Sequence, residues 1–289
     1  MSLTVRRHAS VDEFLAAAGG FLEAREAEHN LLFGISSAIR ATPEVFADDP
    51  PQFATVADVD GRLVAATLRT PPSNQVLSST DDPAAVDALV DAFRDEPLPG
   101  VLGPTEAAAR FAAGWTDATG RAARVEVAER IFRLARVVPP DRTSSGTWRM
   151  AEPRDRELIA RWLVEFSAEA LPEAPPLPDP PATADRWIER RGRVAYLWED
   201  GGEVVSFVGA GGETPHGIRI GPVYTPPARR ERGYASSLTA AASADQLAHG
   251  RRFCFLFTDL ANPTSNKIYQ AIGYEPVCDV DQYRFDTDG

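Results

Sequence analysis

The stretch "TPPARRERGYASSL", Thr225–Leu238, joins a strand-like run to an alanine-rich helical one and places three arginines within four residues of a chain whose net charge is −12. The start of a helix leaves backbone N–H groups without intrahelical partners and carries about half a positive charge. Such a junction is an anion site when the loop lets a phosphate come close. Gly233 removes the Cβ that would block that approach, and Ala235 and Ser236 are small. Pro226 and Pro227 stiffen the entry and prevent an early helix start, while the arginines add diffuse positive charge.

Moving outward, Arg230-Glu231-Arg232-Gly233-Tyr234-Ala235 resembles the Arg/Gln-x-x-Gly-x-Gly/Ala signature of the GCN5-related N-acetyltransferases, and it follows a strand reading "GPVYTPP", as in that family. One helix and one apolar strand later comes "NPTSNKIYQAIGY", Asn262–Tyr274. It resembles the family's Asn-x-x-Ser-x-x-x-Tyr-x-x-x-Gly-Phe/Tyr segment, with Asn262, Ser265, Tyr269, Gly273 and Tyr274 in place. Two motifs in the right order carry the resemblance across the region from about Thr147 to Phe285.

The resemblance implies transfer of an acetyl group from acetyl-CoA, bound as cosubstrate, to a primary amine of a small molecule or peptide by direct attack in a ternary complex. Backbone N–H groups of Arg230, Glu231, Arg232, Gly233, Tyr234, Ala235 and Ser236 would hold the pyrophosphate. The pantetheine arm would pair with Val223, Tyr224 and Thr225, where two parallel strands splay apart, and a backbone N–H there would polarise the thioester. Tyr269 is the expected general acid toward the departing sulfur. Asn262 would bind the CoA arm or fix the helix start, and Ser265 belongs to the same segment. For the base the match fails. The strand "GIRIGPVYT" has no carboxylate, and Arg219, at the comparable position, cannot accept a proton at neutral pH. Glu213 and His216 acting through a water are weak candidates, and relay through ordered water is the other. Glu165, Glu169 and Glu173 lie on or just after a helix flanking the expected acceptor side, where they read either as an attraction for a cationic amine or as a polar helix face.

The rest of the second half reads as a short strand at Thr147–Met150, a helix at Arg154–Glu169, a helical piece at Ala184–Arg190, a glycine-turn hairpin around Asp200-Gly201-Gly202, and helices at Ser236–His249 and Asn266–Ile272. The proline-rich Leu171–Ala182 reads as a stiff loop. The first half repeats this order more faintly: a helix over Val11–Glu28, then the hairpin "FATVADVDGRLVAATL" with Gly61 aligned on Gly202. It lacks the phosphate signature, since Asp81 and Asp82 open its corresponding helix and Phe111 falls near the tyrosine position. The expected architecture is α/β (α+β): two domains of this fold, each a mixed, mostly antiparallel twisted sheet flanked by helices. Residues 1–140 form a degenerate copy and 141–289 the catalytic one, divided at the Pro- and Ser-rich Val137–Gly146.

Composition narrows the partners. Forty-two acidic against 30 basic residues disfavour nucleic acid. No apolar run is long enough to span a membrane. The N-terminal stretch lacks a signal-peptide core, and two cysteines make no disulfide framework, so the expected location is cytoplasmic. Cys254 and Cys278 have neither metal-ligand spacing nor a catalytic partner and read as structural. Monomer and homodimer both remain open. The alternatives to acetyl transfer are a non-catalytic CoA- or acyl-CoA-binding regulator and transfer of a longer acyl chain.

Overall fold

The computed structural model describes residues 3–139, 143–170 and 176–286. The elements in chain order are β1 (Thr4–His8), α1 (Val11–Glu23), α2 (Asn30–Ala41), β2 (Gln52–Ala57), β3 (Leu63–Arg69), β4 (Gln75–Leu77), α3 (Pro83–Phe93), β5 (Gly100–Pro104), α4 (Thr105–Thr119) and β6 (Ala123–Leu134). Then follow β7 (Thr147–Met150), α5 (Arg156–Ala170), α6 (Pro180–Ile188), β8 (Arg193–Asp200), β9 (Glu203–Glu213), β10 (Gly217–Tyr224), α7 (Tyr234–Ala248), β11 (Phe253–Asp259), α8 (Pro263–Ala271) and β12 (Glu275–Phe285). Two compact units result. The first is Met1–Phe132 with Phe257–Asn262 and Pro276–Gly289, and the second is Arg133–Leu256 with Pro263–Glu275.

In the first unit β1, β2, β3 and β4 pair antiparallel in that order, β4 and β5 run parallel, and β12 adds antiparallel to β5 through Val280–Pro104 to Arg284–Gly100. The last strand of the chain thus completes the sheet of the first unit. Its Phe285 stacks on Trp115 of α4 at 5.4 Å, inside a core with Phe93, Phe111 and Leu89. A second core, Phe14, Leu22, Leu32, Phe33, Phe53 and Leu68, packs α1 and α2 against β2 and β3. Burying side chains of this size contributes roughly 1.5–3 kcal/mol each.

Helix α1 starts where Ser10 accepts from the Glu13 N–H at 3.2 Å while Glu13 accepts from the Ala9 N–H at 3.1 Å, a reciprocal cap. The apolar period predicts continuation to Glu28, but the helix stops at Glu23. The cause is His29: its Nδ1 is 2.9 Å from the Leu22 carbonyl, one of the terminal acceptors a longer helix would use.

In the second unit β7, β8, β9 and β10 form an antiparallel sheet, and β11 runs parallel to β10. Alternation decides the faces. Ala195, Leu197, Phe207 and Tyr224 turn toward α5 and α6, meeting Ile159, Trp162, Leu163, Ala184 and Trp187. The alternate residue Tyr196 bonds Asp245 and Gln246 of α7 on the other face. Of the expected loop Leu171–Ala182, residues 171–175 lie outside the described residues, and from Pro180 the chain is already helical, capped by Asp179 on the Ala182 N–H at 2.9 Å. The mixed α/β architecture with parallel strands beside a hairpin matches the expectation in both units.

Candidate active site

The arginine-rich loop leaves β10 through a turn at Pro227–Arg229 and enters α7 at Tyr234. Two residues in it are left-handed, Glu231 at φ 63° and Gly233 at φ 77°. Gly233 is the N-cap of α7 and supplies no side chain, and the first α-helical N–H to be satisfied is that of Ser237, on the Gly233 carbonyl at 3.0 Å. Among the described residues, the backbone N–H groups of Glu231 through Ser236 make no hydrogen bond. Six consecutive donors at the start of a 15-residue helix form a positively polarised surface.

The loop arginines are largely committed elsewhere. Arg230 donates to the Thr225 carbonyl at 2.9 Å and pairs with Glu169 at 2.6 Å, while Arg229 pairs with Glu203. Arg232 makes no ion pair among the described residues, and its carbonyl accepts from the Ser144 hydroxyl at 2.8 Å. The sequence reading missed Ser144. A Cβ on Gly233 would lie 2.9 Å from its Oγ, which would have to turn away, while the positive φ itself favours glycine. Tyr234 is buried with its hydroxyl on Asp200, and Ala235 and Ser236 are partly exposed.

Strands β10 and β11 pair only from Gly217–Phe253 to Arg219–Phe255, and β10 then runs on to Tyr224 beside β9 alone. Its register on β9 shifts between Ile220 and Val223, so Gly221 and Pro222 oppose Gly209 together. Such a bulge bends and twists the strand. The parallel pair therefore opens ahead of Val223, Tyr224 and Thr225. There the Ser206 hydroxyl is 3.2 Å from the Tyr224 carbonyl and 2.9 Å from Thr225 Oγ1. Tyr224 points its ring at Trp162 and donates its hydroxyl to Glu165 Oε2 at 2.8 Å. Burial first, then Glu165, raises this phenol to about 12. The Glu165–Tyr224 pair could not be read from sequence, because nothing local sets the helix against the strand.

Tyr269 lies on α8, its ring edge-on to Tyr274 at 6.1 Å. Tyr274 in turn bonds Ser243 of α7 at 2.9 Å. Burial pushes the Tyr269 hydroxyl up to about 12, so it stays protonated at neutral pH, and it makes no hydrogen bond among the described residues. Asn262 directly precedes α8 with its N–H on the Asp259 carbonyl at 3.0 Å, and Ser265 is partly buried in the first turn. Glu213 is ion-paired to Arg251 and sits opposite Ile218, while the His216 carbonyl accepts from the Arg252 N–H at 2.7 Å. Both lie at the start of β10, and the seven residues from Ile218 to Tyr224 span about 20 Å of strand. The structure does not bring them to the Tyr224 end. Burial raises both thiols, Cys254 and Cys278, to about 12, far from nucleophilic at neutral pH. No group of His, Cys, Asp and Glu among the described residues could hold a metal ion, and no described helix is long and apolar enough to cross a membrane.

The corresponding helix start in the first unit is closed. Asp82 caps α3 by accepting from the Ala84 N–H at 3.0 Å, Pro83 has no N–H, and the Asp82 N–H is taken by Thr80. Ahead of them the Ser79 N–H donates to buried His29 at 3.1 Å, and Asp81 pairs with Arg25 at 2.6 Å. Phe111 is fully buried against Trp115.

Residues 159–274 match the model of the acetyltransferase (GNAT) family. Among curated proteins none matches the chain by sequence. Solved structures share the fold over nearly the whole chain, three of them as follows. A Drosophila protein aligns with TM-score 0.70 at 15% identity, covering 98% of both chains. A tandem GNAT protein from the clavulanic acid biosynthesis pathway aligns with TM-score 0.58 at 14% identity, covering 99% of this chain and 98% of its own. A GCN5-related N-acetyltransferase from Sphaerobacter thermophilus gives 0.58 at 18%, covering 98% and 95%. The match to the GNAT acetyltransferase family thus lies in residues 159–274, and the fold of nearly the whole chain is shared with a tandem GNAT protein.

Proposed function

We propose that the protein transfers an acetyl group from acetyl-CoA to a primary amine of a small molecule or peptide, in a ternary complex, using residues 141–289. Residues 1–140 are, on this reading, a copy that binds no CoA. The observation that carries it is the run of six consecutive N–H donors, Glu231 to Ser236, left without partners at the start of α7. A pyrophosphate is the complement of such a surface, and Arg232 is the loop arginine left to assist. The opening of β10 from β11 supports a strand-like seat for the pantetheine arm beside Val223, Tyr224 and Thr225.

Tyr269 is assigned as general acid. Its raised pKa keeps the proton available, and its hydroxyl has no other hydrogen-bond partner among the described residues. Asn262 and Ser265 belong to the same segment and are assigned to the CoA arm. We assign the proton leaving the amine to ordered water rather than to Glu213 and His216, because Glu213 is committed to Arg251 and both stand at the far end of β10. A cytoplasmic location fits two free cysteines.

The test is thiol release from acetyl-CoA against a panel of primary amines, with wild type and Tyr269→Phe. Amine-dependent release that falls steeply in the variant supports the assignment. Tight CoA binding without turnover on any amine would favour a non-catalytic binding protein.

A further inference from the structure

On the face of the second sheet that carries Tyr224, three strands align one rung: Arg193 of β8 opposes Gly211 of β9, and Gly211 opposes Arg219 of β10. Directly opposed residues project from the same face, so two guanidinium side chains flank a position without one, about 10 Å apart across the middle strand. Helix α6 supplies the rest. The Trp187 ring lies under the Arg193 guanidinium, 5.0 Å from centroid to Cζ, and Arg186 precedes it on the same helix. Trp187 is seated on Gly209, where a Cβ would come within 2.5 Å of the ring.

The cluster consists of donors. Arg193 is partly buried and makes no ion pair or hydrogen bond among the described residues. The indole N–H of Trp187, a residue 6% exposed, is buried without a partner. Such an orphaned donor is costly unless a ligand or water satisfies it. Burial first, then the charges of Arg186 and Arg219, lowers the Arg193 pKa to about 10. Arg219 has contacts of its own and Arg186 donates to Thr183 at 2.8 Å, so Arg193 and Trp187 carry the argument.

We propose that this cluster binds an anionic group, carboxylate or phosphate, of the amine acceptor. The assignment rests on the acetyl-transfer reading above. The rung lies two residues along β9, about 7 Å, from Gly209, which faces the Gly221–Pro222 bulge. Tyr224 lies two residues further along β9, opposite Phe207, so the acceptor is an amine whose anionic end trails from the Tyr224 end back past the bulge toward the rung.

Matched amines in the full-length chain provide the test: γ-aminobutyrate against butylamine for a carboxylate, phosphoethanolamine against ethanolamine for a phosphate. In wild type the anionic member of one pair should have kcat/KM roughly 10- to 100-fold above its neutral partner, the range of a charge-assisted contact. The pair that responds names the anion. Arg193→Gln should erase the preference by raising KM with CoA affinity kept, Arg193→Lys should restore part of it, and Arg186→Gln should weaken it. Independently, the Trp187 indole ¹⁵N–H resonance, assigned with Trp187→Phe, should shift on titration with the preferred anion. Equal rates within both pairs, or equal losses on both members in Arg193→Gln, would overturn the proposal. So would a stationary Trp187 resonance. If wild type fails to bind acetyl-CoA, the acetyl-transfer reading falls and this assignment with it. If turnover persists without discrimination, only the anion site falls.

Discussion

The Asp82 carboxylate accepts a hydrogen bond from the Ala84 N–H at 3.0 Å. This one contact separates the two helix starts that otherwise occupy matching places in their units. A carboxylate is the best occupant a protein can supply for a helix N-terminus. At α7 the capping position is Gly233, which supplies nothing. Asp82→Ala should therefore cost about 1 kcal/mol and lower the melting temperature by roughly 2–4 °C. It should not create a CoA site, because Pro83 lacks an N–H and His29 and Thr80 hold neighbouring donors. Thermal melts and CoA titration of this variant check both parts.

Tyr269→Phe should reduce kcat by about 100-fold or more, the contribution of a positioned acid, with CoA affinity unchanged. Because burial holds the hydroxyl near 12, it loses its proton only in strong base. The kcat profile should show no descending limb from this group below about pH 11. A wild-type limb near pH 8 that disappears in the variant would contradict the assignment.

How much of this was legible beforehand depends on the range of the interactions. The helix start after Gly233, the helix that carries Tyr269 and the glycine-turn hairpins were readable because each is specified by residues within a few positions. The end of α1 at Glu23 was not, since it is set by His29 folding back onto the Leu22 carbonyl. The place of β12 was not either: its alternation reads as a strand, but partner choice is set by burial of Phe285 on Trp115. The rung Arg193–Gly211–Arg219 depends on the register of three strands, and a one-residue slip would send those side chains to the other face. The short β10–β11 pairing was expected from the resemblance, whereas the Gly221–Pro222 bulge at the opening was not.

His29 predicts a pH dependence in the first unit. It is buried, with Nδ1 on the Leu22 carbonyl and Nε2 accepting the Ser79 N–H, and Phe21 is stacked on the ring. Burial lowers its pKa, assisted by Arg25 and opposed by the Leu22 carbonyl and Glu28. The unfolded chain binds the proton more readily, so the stabilisation is complete above the unfolded value near 6.5 and is lost as pH falls through the folded one. Between the two values the stability falls by about 1.4 kcal/mol per pH unit for each proton, and below the folded value it falls no further. Burial lowers His8 too, so urea midpoints should drop from pH 7 to 5 in wild type and less steeply in His29→Gln. A wild-type midpoint constant over that range would rule out the buried neutral imidazole.

Of the two helix starts, the one at Gly233 is assigned to the cosubstrate and the one at Asp82 is not. Calorimetric titration of acetyl-CoA into wild type and Gly233→Glu tests that assignment most directly. The substitution forces a side chain into a left-handed position beside Ser144 and sets a carboxylate on the donor surface. Wild type should bind at one site per chain and the variant at least roughly tenfold more weakly, with the melting temperature of the variant measured alongside. Two sites per chain, or a folded Gly233→Glu protein that binds acetyl-CoA as tightly as wild type, would contradict the assignment.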